Sequence, residues 1–211
     1  MLAFRISSYL SLLALLLICL VLTTRFKCVN QPIRLFSFYL FGSLLIQITS
    51  QILWEMGINN IWLIHLFSVF QLINLSIFFY QIIPKRKIRK SIVLLSSLVS
   101  IYWVVNLWLA PSLFEFDSLE TLITNGVIIG YSVSYFFVHL DYVHSKYDFI
   151  VAGILLFSSI SMLLFIFGNQ LIDIQLINQI GLWIFNTIIY LIFLSLIGIQ
   201  LWKQGYLRQK I

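Results

Sequence analysis

Glu55 and His65 are a carboxylate and an imidazole set ten positions apart, each at the edge of a long apolar run. A carboxylate near an imidazole favours the charged ring, whereas removal from water opposes it. Such a pair, balanced between these effects, would hold a proton whose occupancy follows external pH, a signal input or a coupling site. Short spacing supports the pairing. Only Gly57 to Asn59 separate the two apolar segments, so these must lie side by side and antiparallel. His65 falls about 7.5 Å deeper than the start of its helix at 1.5 Å per residue, and Gln51 lies one turn below Glu55. The expectation is that Glu55, Gln51 and His65 converge at the mouth of a polar cup. The alternative leaves Glu55 solvated and His65 bonded to a backbone carbonyl.

Other polar residues recur at helical spacing within apolar sequence. Gln47, Gln51 and Glu55 form one i, i+4, i+8 stripe. His65, Ser68, Gln71 and Asn74 follow on the next segment, then Asn106, Asn125, Gln179 and Asn186 on later ones. Polar groups facing lipid are costly, so these should point into the bundle. Gln51, Glu55, His65, Asn106, Asn125 and Gln179 fall in the outer half, and Gln47, Gln71 and Asn186 near the midplane. The inner half is apolar down to Gln81, His139 and Gln200. The pattern describes a cup open to one side, or a set of interhelical hydrogen bonds that only hold the bundle.

Gly126, Gly130 and Ser134 are spaced i, i+4, i+8, which lets two helix backbones approach closely. Packing inside the bundle is the expected use, a dimer interface the alternative. Enzyme signatures are missing: there is no His-Glu-x-x-His and no Gly-x-Ser-x-Gly. His65 lies on the opposite membrane side from His139 and His144, whose reachable carboxylates are Asp141 and Asp148, a poor metal set. Neither enzymatic activity, a metal nor any other cofactor is expected. Cys19 and Cys28 read as free thiols.

The elements that position these residues follow from composition. Charged residues make up 9% of the chain, against about 25% in a soluble domain, and mean hydropathy is +1.03. Long unbroken apolar runs such as Ser11 to Leu22 fit helices and not alternating barrel strands. Seven segments can span a bilayer: 7–23, 35–56, 60–83, 91–110, 119–140, 149–168 and 177–202. They predict a single all-α transmembrane domain. The first could pass for a signal peptide, but no small-x-small site follows and Arg25 and Lys27 come next, so it reads as a retained helix.

Every Lys and Arg except Arg5 falls in the first, third and fifth connections or the C-terminal tail. The opposite connections carry Glu55, Glu115, Asp117, Glu120 and Asp173. The segregation predicts an outside N-terminus and a cytoplasmic C-terminus, in what is most simply a bacterial cytoplasmic membrane. The net charge of +6 is thus a topology signal with some attraction for anionic lipid, and no nucleic acid is expected as a partner. Trp54, Trp62 and Trp108 lie near the outer boundary, and Tyr80, Tyr142, Tyr147 and Trp202 near the inner one. Pro84 and Pro111 mark helix ends. Ile58-Asn59-Asn60-Ile61 and Ile177-Asn178-Gln179-Ile180 open the third and seventh helices, a four-residue match of the kind a three-plus-one-plus-three repeat gives.

This plan resembles three groups. Microbial rhodopsins share the helix count but carry a retinal lysine in the seventh helix, where this chain has none between Ile177 and Trp202. Semi-repeat sugar transporters of the PQ-loop type share the three-plus-one-plus-three logic. Here Pro-Gln is missing, and Gln31-Pro32 is reversed and falls in a loop. The seven-helix input domains of bacterial sensor kinases also look similar, which implies an outer half that receives a signal. Asn59-Asn60-x-Trp62-x-x-His65 resembles a pattern in small bacterial seven-helix proteins. The sequence leaves two functions open: a ligand-binding or signal-receiving module acting through a membrane or cytoplasmic partner, and a small-solute transporter or channel. The apolar inner half tips the balance to the first.

Overall fold

The computed structural model describes residues 2–27, 29–109, 118–140, 146–170 and 176–209, except for some side chains near helix ends. It contains seven helices: α1 (Leu2–Arg25), α2 (Gln31–Glu55), α3 (Trp62–Ile82), α4 (Arg86–Leu109), α5 (Ser118–His139), α6 (Asp148–Gln170) and α7 (Leu176–Gln209). Six of them are long and apolar enough to cross a membrane, and α6 holds a shorter apolar stretch, Asp148–Leu164. Cys28, the acidic residues Glu115, Asp117, Asp141 and Asp173, and Pro111, Tyr142 and His144 lie outside the described residues. The side chains of Trp108 and Gln179 do too.

Local sequence explains several ends. Asn30 caps α2 by accepting from the Ile33 N–H, and Pro32 sits in the first turn, where its missing N–H is harmless. Gln31-Pro32 therefore opens a helix, which corrects its placement in a loop. At the other end Gly57 has φ +70°, and two backbone bonds close a left-handed cap, Gly57 N–H to Trp54 O and Ile58 N–H to Leu53 O. Asn60 Nδ2 then donates to the Ser50 carbonyl and hydroxyl, and the Asn59 side chain accepts from Ile61 N–H. The Asn-Asn pair thus holds the α2–α3 turn, ahead of α3. Its look-alike at 177–180 lies inside α7, so the two stretches are not structurally equivalent. α3 stops before Pro84.

The helices pack as a ring in the order α1, α2, α3, α5, α6, α7 and back to α1. α4 stands outside it, against α3 and α5. The first connection, the fifth and the end of α7 meet at one end of the bundle. Asn30 Nδ2 donates to the Tyr147 hydroxyl, Gln200 Nε2 donates to Lys146 O, and Lys203 Nζ lies over the Phe149 ring. This is the basic end. Burial pushes the Tyr147 phenol above its ordinary range, against the hydrogen bond from Asn30. Arg5 and Glu55 meet at the opposite, acidic end.

The outside of the bundle is apolar. Leu13, Leu20, Leu94, Ile101 and Val104 are exposed, as lipid-facing residues would be. Several hydroxyls within the helices are satisfied by their own backbone: Ser43, Thr49, Ser132 and Ser195 each donate to a carbonyl one turn back. The basic half is filled by interlocked rings. Phe36 contacts Tyr39 and Phe78, Phe78 contacts Phe79 and Tyr147, and Phe79 contacts Tyr131.

Close backbone approach falls elsewhere than expected. A Cβ added at Gly126 or Gly130 meets nothing within 4 Å. Both residues and Ser134 line an open groove beside α4. The tight glycines are Gly42, whose missing side chain is replaced by the Phe70 ring, and Gly153, where a Cβ would come within 2.9 Å of Phe193 Cδ2. Phe70 is stacked on Tyr39, so it cannot yield freely. Gly→Ala in a helix gains about 1 kcal/mol in propensity, while overpacking costs about 1–3 kcal/mol. Gly126→Ala and Gly130→Ala should leave the melting temperature in detergent unchanged or higher, whereas Gly42→Ala and Gly153→Ala should lower it. The reverse order would show that the α5 stripe, and not these two positions, carries the close contacts.

Candidate functional site

His65 lies in the first turns of α3 and is 9% exposed; Glu120 lies in the first turn of α5 and is 2% exposed. Their contact, His65 Nδ1 to Glu120 Oε2, is 2.5 Å. The second carboxylate oxygen accepts from Asn106 Nδ2 on α4 at 2.8 Å. Trp103, also on α4, sets its ring edge-on to the imidazole with centroids 6.1 Å apart. One buried carboxylate thus joins three helices at the acidic end.

Glu55 is not part of this cluster. It accepts from Tyr9 Oη at 3.1 Å and Gln51 Nε2 at 3.3 Å, and faces Arg5 at 3.7 Å. Ser8 Oγ in turn donates to Gln51 Oε1. The expected Glu55–His65 pair is therefore replaced by two sites, an exposed α1–α2 rim and a buried α3–α4–α5 knot. The physical reason lies in the helix repeat. A step of four residues overshoots a 3.6-residue turn by about 40°, so the Gln47–Gln51–Glu55 row winds from the bundle axis towards α1.

Beside the knot and extending below it, a cavity of about 270 Å³ opens between the ring helices. Its polar lining comes from Ser11, Gln47, Ser50, Ser68, Gln71, Thr121, Asn125, Ser161, Asn186 and Thr187. Gln47, Gln71, Asn125 and Asn186 of the anticipated cup are thereby brought together. His65, Asn106, Gln51 and Glu55 lie outside this lining, in the knot and the rim. Gln47, Gln71 and Asn125 lie about 10–15 Å below the acidic ends of their helices at 1.5 Å per residue. The apolar walls and floor are Leu63, Ile64, Phe67, Phe157 and Tyr190. Phe67 leans on Tyr39, and Phe157 stacks on Phe193, so the floor continues into the aromatic packing of the basic half.

The lining is only partly satisfied within itself. The Gln47 side chain hydrogen-bonds the Tyr190 hydroxyl. Ser161 Oγ donates to Asn186 Oδ1, and Asn125 Nδ2 donates to Thr121 O. Gln71 Nε2, Thr121 Oγ1 and Asn125 Oδ1 are buried with no hydrogen-bond partner. Thr121 escaped notice in the sequence, and Glu120 was read only as part of an acidic connection. Their signal is periodicity: the buried positions Glu120, Thr121, Thr124, Asn125, Ile128, Tyr131, Ser132, Tyr135 and Val138 trace one inward face of α5. At the basic end, His139 Nδ1 contacts Tyr135 O, and Tyr135 Oη donates to Asp148. Among the described residues no group of three or more His, Cys, Asp or Glu could hold a metal ion. Cys19 is buried on α1 as a free thiol.

No family model matches the chain, and no curated protein or solved structure matches it.

Removing one partner of a buried ion pair strands the other and commonly costs about 3–5 kcal/mol. His65→Ala should therefore lower the melting temperature far more than Glu55→Ala, whose partners are exposed. His65→Leu combined with Glu120→Leu should recover much of the loss, since no uncompensated charge is left. Equal effects of His65→Ala and Glu55→Ala would contradict this assignment.

Proposed function

We propose that this is a seven-span integral membrane protein, N-terminus outside and C-terminus cytoplasmic, that receives a small molecule in its outer half and acts through a partner protein. A bacterial cytoplasmic membrane is its proposed home. The gathering of basic connections at one end supports this orientation, because cytoplasmic loops retain Lys and Arg. The observation that carries the functional reading is the cavity itself: its lining is polar and partly unsatisfied, and its Phe67 and Phe157 floor continues into packed aromatic rings towards the basic end. A cup of this form receives a molecule without passing it on.

A transporter is the second reading, favoured by the place of α4. The middle helix is excluded from the ring, which leaves α1–α3 and α5–α7 as two flanking triplets with the cavity between them. Transporters built from two such units bind substrate near the midplane and rock one unit against the other.

Cysteine labelling tests both readings, with Cys19 and Cys28 first replaced. A membrane-impermeant thiol reagent added to intact cells should label Ser50→Cys and Ser161→Cys. Lys87→Cys should react only after permeabilisation, and Ser76→Cys, in the packed half, from neither side. External labelling of Lys87→Cys would overturn the orientation, and silence at both cavity positions would overturn the cup. Labelling of Ser161→Cys from inverted vesicles as well would favour the transporter.

A further inference from the structure

We infer that the cavity selects a small uncharged solute bearing groups that both donate and accept hydrogen bonds, hydroxyls or primary amides, with one apolar face. The inference rests on the outward cup proposed above and adds the chemistry of its occupant.

Three observations converge. First, no charged side chain is among the described residues lining the cavity. Glu120, next in sequence to Thr121, is held by His65 and Asn106, and Glu55 is held at the rim by Arg5, Tyr9 and Gln51. An ion entering an apolar bundle without a counter-charge loses its hydration with little return. Second, the unpaired atoms include both kinds. Gln71 Nε2 offers a donor, Asn125 Oδ1 an acceptor and Thr121 Oγ1 either, and each residue is at least nine-tenths buried. A molecule that only donates or only accepts would leave one of them unsatisfied, at about 1–3 kcal/mol each. Third, Phe67 and Phe157 form an apolar wall against which a carbon face can pack. The volume, about 270 Å³, lies just below the roughly 300–1,000 Å³ of pockets for drug-sized ligands, so the occupant is smaller.

Charge can be tested with matched probes on the purified full chain in nanodiscs. Glucose and myo-inositol carry neutral hydroxyls, and lactamide a neutral amide. Gluconate and glucosamine keep similar size and hydroxyls but add a negative or a positive charge. Neutral probes of at least one arm should raise the melting temperature and protect Ser50→Cys from thiol labelling, and the charged probes should do neither. The hydroxyl and amide arms report which neutral chemistry is preferred. Gln71→Leu and Thr121→Val should weaken that protection tenfold or more. Because each removes an unpaired buried polar atom, the empty variant should melt no lower than the parent. Protection by gluconate or glucosamine equal to that by the neutral probes would overturn the inference. So would labelled Ser50→Cys that no neutral probe protects, which would leave a water-filled cup and spare the outward-facing reading. Variants that melt lower while protection is unchanged would make Gln71 and Thr121 structural and overturn it too. Failure of both Ser50→Cys and Ser161→Cys to label would instead remove the cup itself.

Discussion

α3 and α5 run in the same direction and touch, because α4 makes the return journey outside the ring. No tight turn can hold two such helices together, so side chains must. The buried hydrogen bond between His65 and Glu120 does this at the acidic end, and Asn106 draws α4 to the same carboxylate. Nearer the middle of the bundle Ser96 of α4 bonds both Ser76 of α3 and Tyr131 of α5. Parted from each other, a buried carboxyl group and imidazole would be left without that hydrogen bond in an apolar bundle, so the pair resists any slip of one helix along the other. A slip of one turn, about 5.4 Å, would part the imidazole from the carboxylate. Gln71 and the Thr121–Asn125 pair hang from these same two helices. The registration of the cavity wall therefore depends on a bond that adjoins Thr121 and lies about one to two helical turns above Asn125 and Gln71.

Much of the fold was legible because the solvent is apolar and punishes deviation. Apolar runs of spanning length had to be helices, and Pro84 and Gly57 end α3 and α2 where their backbone chemistry requires. The first connection, Lys146 and the end of α7, which the charge segregation put on one side, do meet at one end. What the sequence hid was lateral order. Spacing within a helix shows which residues share a face, but not which neighbour that face meets. Glu55 and His65 are adjacent in depth and chain order, yet Glu55 turns to α1 while His65 turns to α5. Glu120 was obscured by Glu115 and Asp117, which make it resemble the end of an acidic loop. Its place in the inward row of α5 was the signal that it belongs to the helix.

The small-residue stripe teaches the complementary point. Gly126, Gly130 and Ser134 have the spacing that allows close approach, but spacing permits contact without supplying a partner. Around α4 the contacts are made by long or polar side chains, Trp103, Asn106 and Ser96, and a groove remains beside the glycines. Gly42 and Gly153 stand alone in sequence and yet admit Phe70 and Phe193, because an aromatic ring lies opposite each. The aromatic packing that closes the basic half therefore hangs on two glycines with no motif around them.

The distribution of unsatisfied groups bears on function more directly than their number. Serine and threonine hydroxyls at Ser43, Thr49, Ser132 and Ser195 are returned to the backbone one turn back, the ordinary solution inside a bilayer. Thr121 and Thr124 on α5 are not, nor is the Asn125 carbonyl or the Gln71 amide nitrogen on α3. Of these, Thr121, Asn125 and Gln71 sit on neighbouring helices around one cavity. Lipid offers them no partner from the side, and the ring packing blocks the basic end. The cavity is thus the place in the bundle where polar groups on two helices are left to be met by something other than their own backbone, which is what ties the hydrogen-bond accounting to the site.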